Sequence, residues 1–277
     1  MMIVKQHLKI IMYHGDYDAY QGNITVRRAV ESSQNIPFVK IMKELTPKIS
    51  IKYLKNMGIT TLTQKDESLP LSLGGLEKGV SPLEMAGGYA TIANDGIYIE
   101  PTFYKKITNS SGKIIIESKQ KKKKVFSIQT SFILKQLLKQ PVEGQKGTAT
   151  YCKISNMDVA AKTGTTDENY DRWLCGFTPY YTAVTWYGYD LNESIDYGGK
   201  NPAGLIWADV MKDIHSNLQG TSFIKPSNIV ETTICRETGL VTNSGCTDTY
   251  IEYYLKGTIP DRCNKHLSSK PTTTNNT

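Results

Sequence analysis

The chain has 277 residues and a formal net charge of +7, a length that suits one large or two modest domains at ~100–200 residues each. With 39% hydrophobic and 21% charged residues, 22 glycines and 11 prolines, the composition excludes collagen-like, disordered and membrane-spanning classes. Five of the six residues from Lys119 to Lys124 are lysine. No aromatics interleave with them, so they read as a solvated loop, with an anionic envelope surface as the lesser alternative, and no nucleic-acid partner is expected.

In chain order, Met1 to Met12 breaks its apolar residues with Lys5, His7 and Lys9, so it reads neither as a signal peptide nor as a membrane span. Thr25 suits the N-cap of a helix from Val26 to Ser32, and Pro37 suits the first turn of a second from Phe38 to Leu45. Between them Ser33-Gln34-Asn35 puts a hydroxyl and a carboxamide at a break between helices, where flanking structure can aim both into a cleft. Helix capping is the plainer use of such residues. A further helix covers Ile51 to Met57 and stops at Gly58. Ser81-Pro82-Leu83-Glu84 has capping-box spacing and opens a helix to Ala93. Thr102 to Thr108 and Lys113 to Glu117 read as a hairpin around Asn109-Ser110-Ser111-Gly112. Ile128, Phe132, Ile133, Leu137 and Leu138 mark an amphipathic helix.

The run from Asp158 to Thr166 starts as a small apolar strand and ends in Lys162-Thr163-Gly164-Thr165-Thr166. Strand alternation puts Lys162 and Gly164 on one face and Thr163 and Thr165 on the other. The bare glycine would let another backbone approach. A strand edge with a cation and hydroxyls suits an extended peptide ending in a carboxylate. Arg172 to Phe177 and Thr182 to Tyr189 continue as antiparallel neighbours in one sheet, and Ala203 to His215 follows as a helix. The order gives an α+β fold, an antiparallel sheet flanked by helices. Cys152 and Cys175 lie in this central region. Cys235, Cys246 and Cys263 come late and predict a disulfide with one thiol left over, although His266 could complete a metal site with them.

Several stretches carry a family resemblance: Gly22-Asn23-Ile24-Thr25-Val26-Arg27-Arg28-Ala29-Val30 leading to Ser33-Gln34-Asn35-Ile36-Pro37; Leu83-Glu84-Met85-Ala86-Gly87-Gly88-Tyr89-Ala90-Thr91; Lys162-Thr163-Gly164-Thr165-Thr166; and Asp171-Arg172-Trp173 followed by Gly176-Phe177-Thr178-Pro179. Together they resemble the C-terminal part of the transpeptidase domain of class A penicillin-binding proteins. The resemblance covers Tyr20 to about Ser216 and, more loosely, the Cys235 to His266 extension found in some Gram-positive relatives. It implies residues 1–19 as an unmatched segment, 20–216 as a partial transpeptidase domain and 217–266 as a Cys-containing extension, while the polar low-complexity composition of 267–277 predicts a disordered tail.

The family transfers an acyl group from a D-Ala-D-Ala stem peptide to an amine, cross-linking the cell wall, and β-lactams trap the acylation step. By resemblance, Ser33 relays protons, Asn35 binds the substrate amide and Lys162 supplies charge beside Ser33. Thr163, Gly164 and Thr165 bind substrate, with the Thr165 N–H as half of the oxyanion hole. No cofactor and no metal are implied. The implied partners are peptidoglycan stem peptides and β-lactams, for a membrane-anchored parent with an upstream glycosyltransferase domain on the extracytoplasmic face of the membrane.

One departure is large. The family places a Ser-x-x-Lys nucleophile before Ser-x-Asn, yet no serine or cysteine precedes Ser32 here. Ser110 with Lys113, Ser118 with Lys121 and Ser222 with Lys225 match by spacing but are badly placed. The chain is therefore expected to be a fragment of a larger enzyme, or to have a misassigned start, and to be inactive alone. The alternative is a non-catalytic module that binds cell-wall peptides or penicillin. A Ser-His-Asp hydrolase is weaker, since none of His7, His14, His215 and His266 has a catalytic context.

Overall fold

The computed structural model describes residues 22–266 and the short strand at Ile11–Met12. The elements in order are β1 (Ile11–Met12), β2 (Asn23–Ile24), α1 (Val26–Glu31), α2 (Asn35–Leu45), α3 (Pro47–Asn56), α4 (Pro82–Ala93), β3 (Ile97–Ile99), β4 (Lys106–Thr108) and β5 (Ile114–Glu117). They continue with β6 (Lys122–Lys124), α5 (Ile128–Glu143), β7 (Ala160–Thr165), β8 (Asp171–Phe177), β9 (Thr182–Gly188), α6 (Pro202–Ile214), β10 (Ile229–Cys235) and β11 (Thr249–Leu255). Most of the 1–19 segment and the 267–277 tail, with His7 and His14, lie outside the described residues. Among the described residues no helix is long and apolar enough to cross a membrane.

The organising sheet is β7-β8-β9, antiparallel throughout. Alternation divides its side chains between two cores. Val159, Ala161 and Leu174 pack with Trp207, Ala208 and Met211 of α6, while Ala160 and Phe177 pack with Phe132 of α5 and with Phe223 and Ile229. Helices therefore cover both faces. The helices begin where their caps are good. Thr25 Oγ1 accepts from Arg28 N at 3.2 Å; Ser81 and Glu84 form a full capping box, with Pro82 in the first turn. Each such cap is worth ~1 kcal/mol.

Two expectations change. The lysine run is not wholly a loop: Lys122–Lys124 pairs antiparallel with Ile97–Ile99. Its side chains are exposed, which is how a strand tolerates three consecutive lysines. The late disulfide is not formed. Cys235, Cys246 and Cys263 are all free and converge on His266. The hairpin β10–β11, which leads into that cluster, docks on α1 through a buried ion pair between Arg27 and Glu252.

Candidate active site

Ser33 sits where α1 gives way to α2. The Ser33 N–H donates to Val30 O at 3.3 Å and the Gln34 N–H to Ala29 O at 2.9 Å, the crossed pair that ends a helix with one left-handed residue. Glycine usually takes that place, but here it is Ser33, at φ 55°. A non-glycine residue bears a strain of ~1 kcal/mol in this conformation. The helical reading began at Phe38, whereas α2 begins at Asn35, which is exposed. Gln34 stands at the N-cap of α2 without a side-chain capping bond, so capping does not account for this cluster.

What holds the Ser33 hydroxyl comes from across the chain. Lys162 Nζ donates to Ser33 Oγ at 2.7 Å and to Thr163 O at 2.8 Å. Thr163, on the opposite face of β7, shares a hydrogen bond of 2.9 Å with Thr148 Oγ1. Thr165 Oγ1 accepts from Arg172 Nη1 at 3.2 Å. Since β7 is the outer strand of its sheet, its far edge has no strand partner among the described residues. Gly164 is the cross-strand partner of Trp173. A Cβ there would come within 3.1 Å of Trp173 Cβ, so its bareness seats the chain's own cross-strand tryptophan.

Electrostatics set the behaviour of the lysine. Burial lowers the Lys162 ammonium from its ordinary 10.5 to about 8. Its cross-strand neighbour Cys175 supplies no counter-charge, since burial pushes that thiol up to about 12. Among the described residues no carboxylate pairs with Lys162. The arrangement can pass a proton between a hydroxyl and an amine near neutral pH, and can attract an anion to a strand edge.

Three contributors carried no role in the sequence reading. Glu31 accepts from Lys146 N at 2.8 Å and pairs with Arg28 at 3.1 Å, anchoring the loop that delivers Thr148. Arg172 reaches Thr165 because the two are register partners, which drawing the hairpin would have disclosed. Its Nε is buried without an acceptor among the described residues, an unpaired donor that a structural arginine avoids. No sequence signal marks Thr148. Of the histidines, His215 is buried between Thr178 Oγ1 (2.8 Å) and Met211 O (2.6 Å), a structural setting, and His266 belongs to the cysteine cluster.

Residues 4–212 match the model of the penicillin binding protein transpeptidase domain. The chain belongs to this family. The match begins upstream of Tyr20, where the sequence resemblance started. Residues 225–268 match a second model, the penicillin-binding protein 1A C-terminal domain. Penicillin-binding protein 1A of Clostridium botulinum (strain Langeland) is 37% identical over 251 residues, covering 88% of this chain and 30% of that protein. Penicillin-binding protein 1F of Bacillus subtilis (strain 168) is 37% identical, covering 78% of this chain and 30% of that protein. The chain therefore spans about 30% of the length of each of these relatives. A crystal structure of penicillin-binding protein 1A from Haemophilus influenzae overlays with a TM-score of 0.77 at 24% identity, covering 93% of this chain and 45% of that one. The α+β architecture is that of the penicillin-binding protein transpeptidases.

Proposed function

We propose that this chain carries the substrate-binding and proton-relay part of a D,D-transpeptidase that joins D-Ala-D-Ala stem peptides to an amine and is trapped by β-lactams. The observation that carries the reading is the 2.7 Å contact between Lys162 Nζ and Ser33 Oγ at an open strand edge. In acyl transfer a serine oxygen attacks the penultimate D-alanine carbonyl, terminal D-alanine leaves with a proton, and an amine then takes the acyl group and releases the serine. Lys162 and Ser33 move the protons. Asn35 binds the peptide amide, and Thr163 and Thr165 with Arg172 hold the terminal carboxylate. Gly164 keeps the strand seated on Trp173, and the Thr165 N–H contributes half of an oxyanion hole, typically worth ~3 kcal/mol.

The attacking serine stands outside this set, because the family order puts it ahead of Ser33 and no serine or cysteine precedes Ser32 here. Acyl-enzyme formation thus requires a segment bearing Ser-x-x-Lys. The parent protein in this reading is membrane-anchored, carries a glycosyltransferase domain and works on the extracytoplasmic face of the membrane. A second reading, a module that binds wall peptides without chemistry, needs only the open edge of β7 with its Lys162 and Thr165 contacts.

Fluorescent penicillin tests the proposal. The 277-residue chain takes no covalent label, and a chain extended upstream through Ser-x-x-Lys does. Label on any residue of the 277-residue chain overturns the division of roles. An extended chain that binds a D-Ala-D-Ala peptide yet stays unlabelled is the binding module.

A further inference from the structure

The C-terminal hairpin ends in a group of side chains for which acyl transfer has no use. Cys235 closes β10, Cys246 lies in the connection to β11, and Cys263 and His266 follow β11. Their four donor atoms lie within 4.8 Å of one another. His266 Nδ1 stands 3.4 Å from Cys235 Sγ, 3.6 Å from Cys246 Sγ and 3.4 Å from Cys263 Sγ. A tetrahedral ion with metal–sulfur bonds of ~2.3 Å and metal–nitrogen bonds of ~2.0 Å separates its sulfur and nitrogen ligands by about 3.5 Å. The spacing is therefore that of ligands around one centre. A disulfide between any two of the thiols would leave the third sulfur and the imidazole unexplained.

The surroundings are built for the same purpose. His266 Nε2 faces Glu237 Oε2 at 2.7 Å, so the Nε2–H donates to the carboxylate and the Nδ1 lone pair is left directed at the thiols. Such an outer carboxylate fixes the tautomer and orientation of a metal-bound histidine. Lys265 pairs with Glu237 in turn. Backbone bonds set the sulfurs: Cys263 N to Val241 O at 2.7 Å, Cys235 N to Leu240 O at 2.8 Å and Cys246 N to Asn243 O at 3.2 Å. Asn243 also donates to Cys263 O at 2.5 Å. A Cβ on Gly245 would lie 2.1 Å from His266 O, so only glycine lets the segment bearing His266 cross there.

We propose that Cys235, Cys246, Cys263 and His266 bind one Zn²⁺ as a closed, structural Cys3His site. Three thiolates and an imidazole are the donor set that zinc prefers, and four protein ligands leave no position for a reacting water. Binding releases the three thiol protons and involves no change in oxidation state. The ion joins the end of β10 and the β10–β11 connection to the segment after β11, and so ties down the loop end of the hairpin that docks on α1.

The test uses the 277-residue chain, purified under reducing conditions, incubated with Zn²⁺ and desalted. Elemental analysis is expected to find about one zinc per chain, and Co²⁺ in its place to give the intense visible bands of a tetrahedral thiolate site. The double variant Cys246→Ser/Cys263→Ser is expected to lose the metal, and Glu237→Gln to weaken zinc affinity ~10–100-fold. The wild-type cobalt spectrum decides the matter even if the double variant fails to fold. A metal-free chain whose mass and thiol count report a disulfide among the three cysteines overturns the assignment. So does zinc retained at full occupancy in a folded double variant.

Discussion

Arg27 on α1 and Glu252 on β11 form a buried ion pair between residues 225 apart in sequence. Arg27 is 8% exposed and Glu252 3%, so neither charge has water to fall back on. Tyr250 lies over the same guanidinium at 5.6 Å. The helix that presents Ser33 is thereby held by the C-terminal hairpin.

Removing one member strands the other. Glu252→Ala is expected to destabilise the chain by ~3–5 kcal/mol, whereas Arg27→Met with Glu252→Leu recovers most of the loss. Urea unfolding of the wild type, the single variant and the double variant checks this. A single variant within ~0.5 kcal/mol of wild type would mean that the hairpin does not brace α1.

Ser33 exchanges backbone ease for a hydroxyl. Ser33→Gly relieves the left-handed strain and is expected to leave stability unchanged or raise it by ~1 kcal/mol. In a protein that includes the Ser-x-x-Lys segment, the same change is expected to slow β-lactam acylation by at least tenfold, a barrier increase of ~1.4 kcal/mol or more. Melting temperature and acylation rate, measured together, separate the two effects. A fall in both would make the serine structural.

Lys162→Met, in the same extended protein, is expected to slow acylation about 30- to 1000-fold, equivalent to ~2–4 kcal/mol. Its stability also carries a pH signature. Because the folded pKa of about 8 lies below the ordinary 10.5, the unfolded chain binds more protons between these values. Wild-type stability therefore rises through that window. The methionine variant lacks this rise, so wild type should gain on it from pH 8 to 10.5 in paired thermal melts. A constant difference would show that Lys162 is not desolvated.

Glu84 governs part of the acid response. Burial raises its carboxyl, but hydrogen bonds from the N–H and hydroxyl groups of Ser81 and Thr60 outweigh that and bring it to about 2. Its contribution is full above the ordinary 4.5 and is lost as pH falls toward 2. Glu84→Gln should be less stable than wild type at pH 6, with the gap closing by pH 2. Acid titration followed by circular dichroism measures it.

Local rules made the frame legible. The cap at Thr25, the box at Ser81 and Glu84, and the alternation after Asp158 each fix one backbone state, and the three-stranded sheet follows from adjacent strands of matched length. Contacts over long separations were harder to read. Arg27 and Glu252 carry no periodic signal, and Thr148 looks like any loop threonine until α5 and Glu31 bring it to β7. The cysteines misled for a related reason. Spacing records how many donors exist, and only the fold shows that three sulfurs and a ring nitrogen share one centre.

The open edge of β7 has a further consequence, for association between copies. An uncovered strand edge accepts any extended backbone, including its counterpart in a second molecule, and natural sheets deter such stitching with inward charge. Lys162 is the one charged residue on β7, and its ammonium meets a hydroxyl and a carbonyl instead of a carboxylate. An anionic peptide end satisfies that charge, whereas an identical strand brings a second lysine against it. On the proposed reading one side chain would admit the guest and, in an antiparallel pairing of two copies centred on it, would turn away the twin.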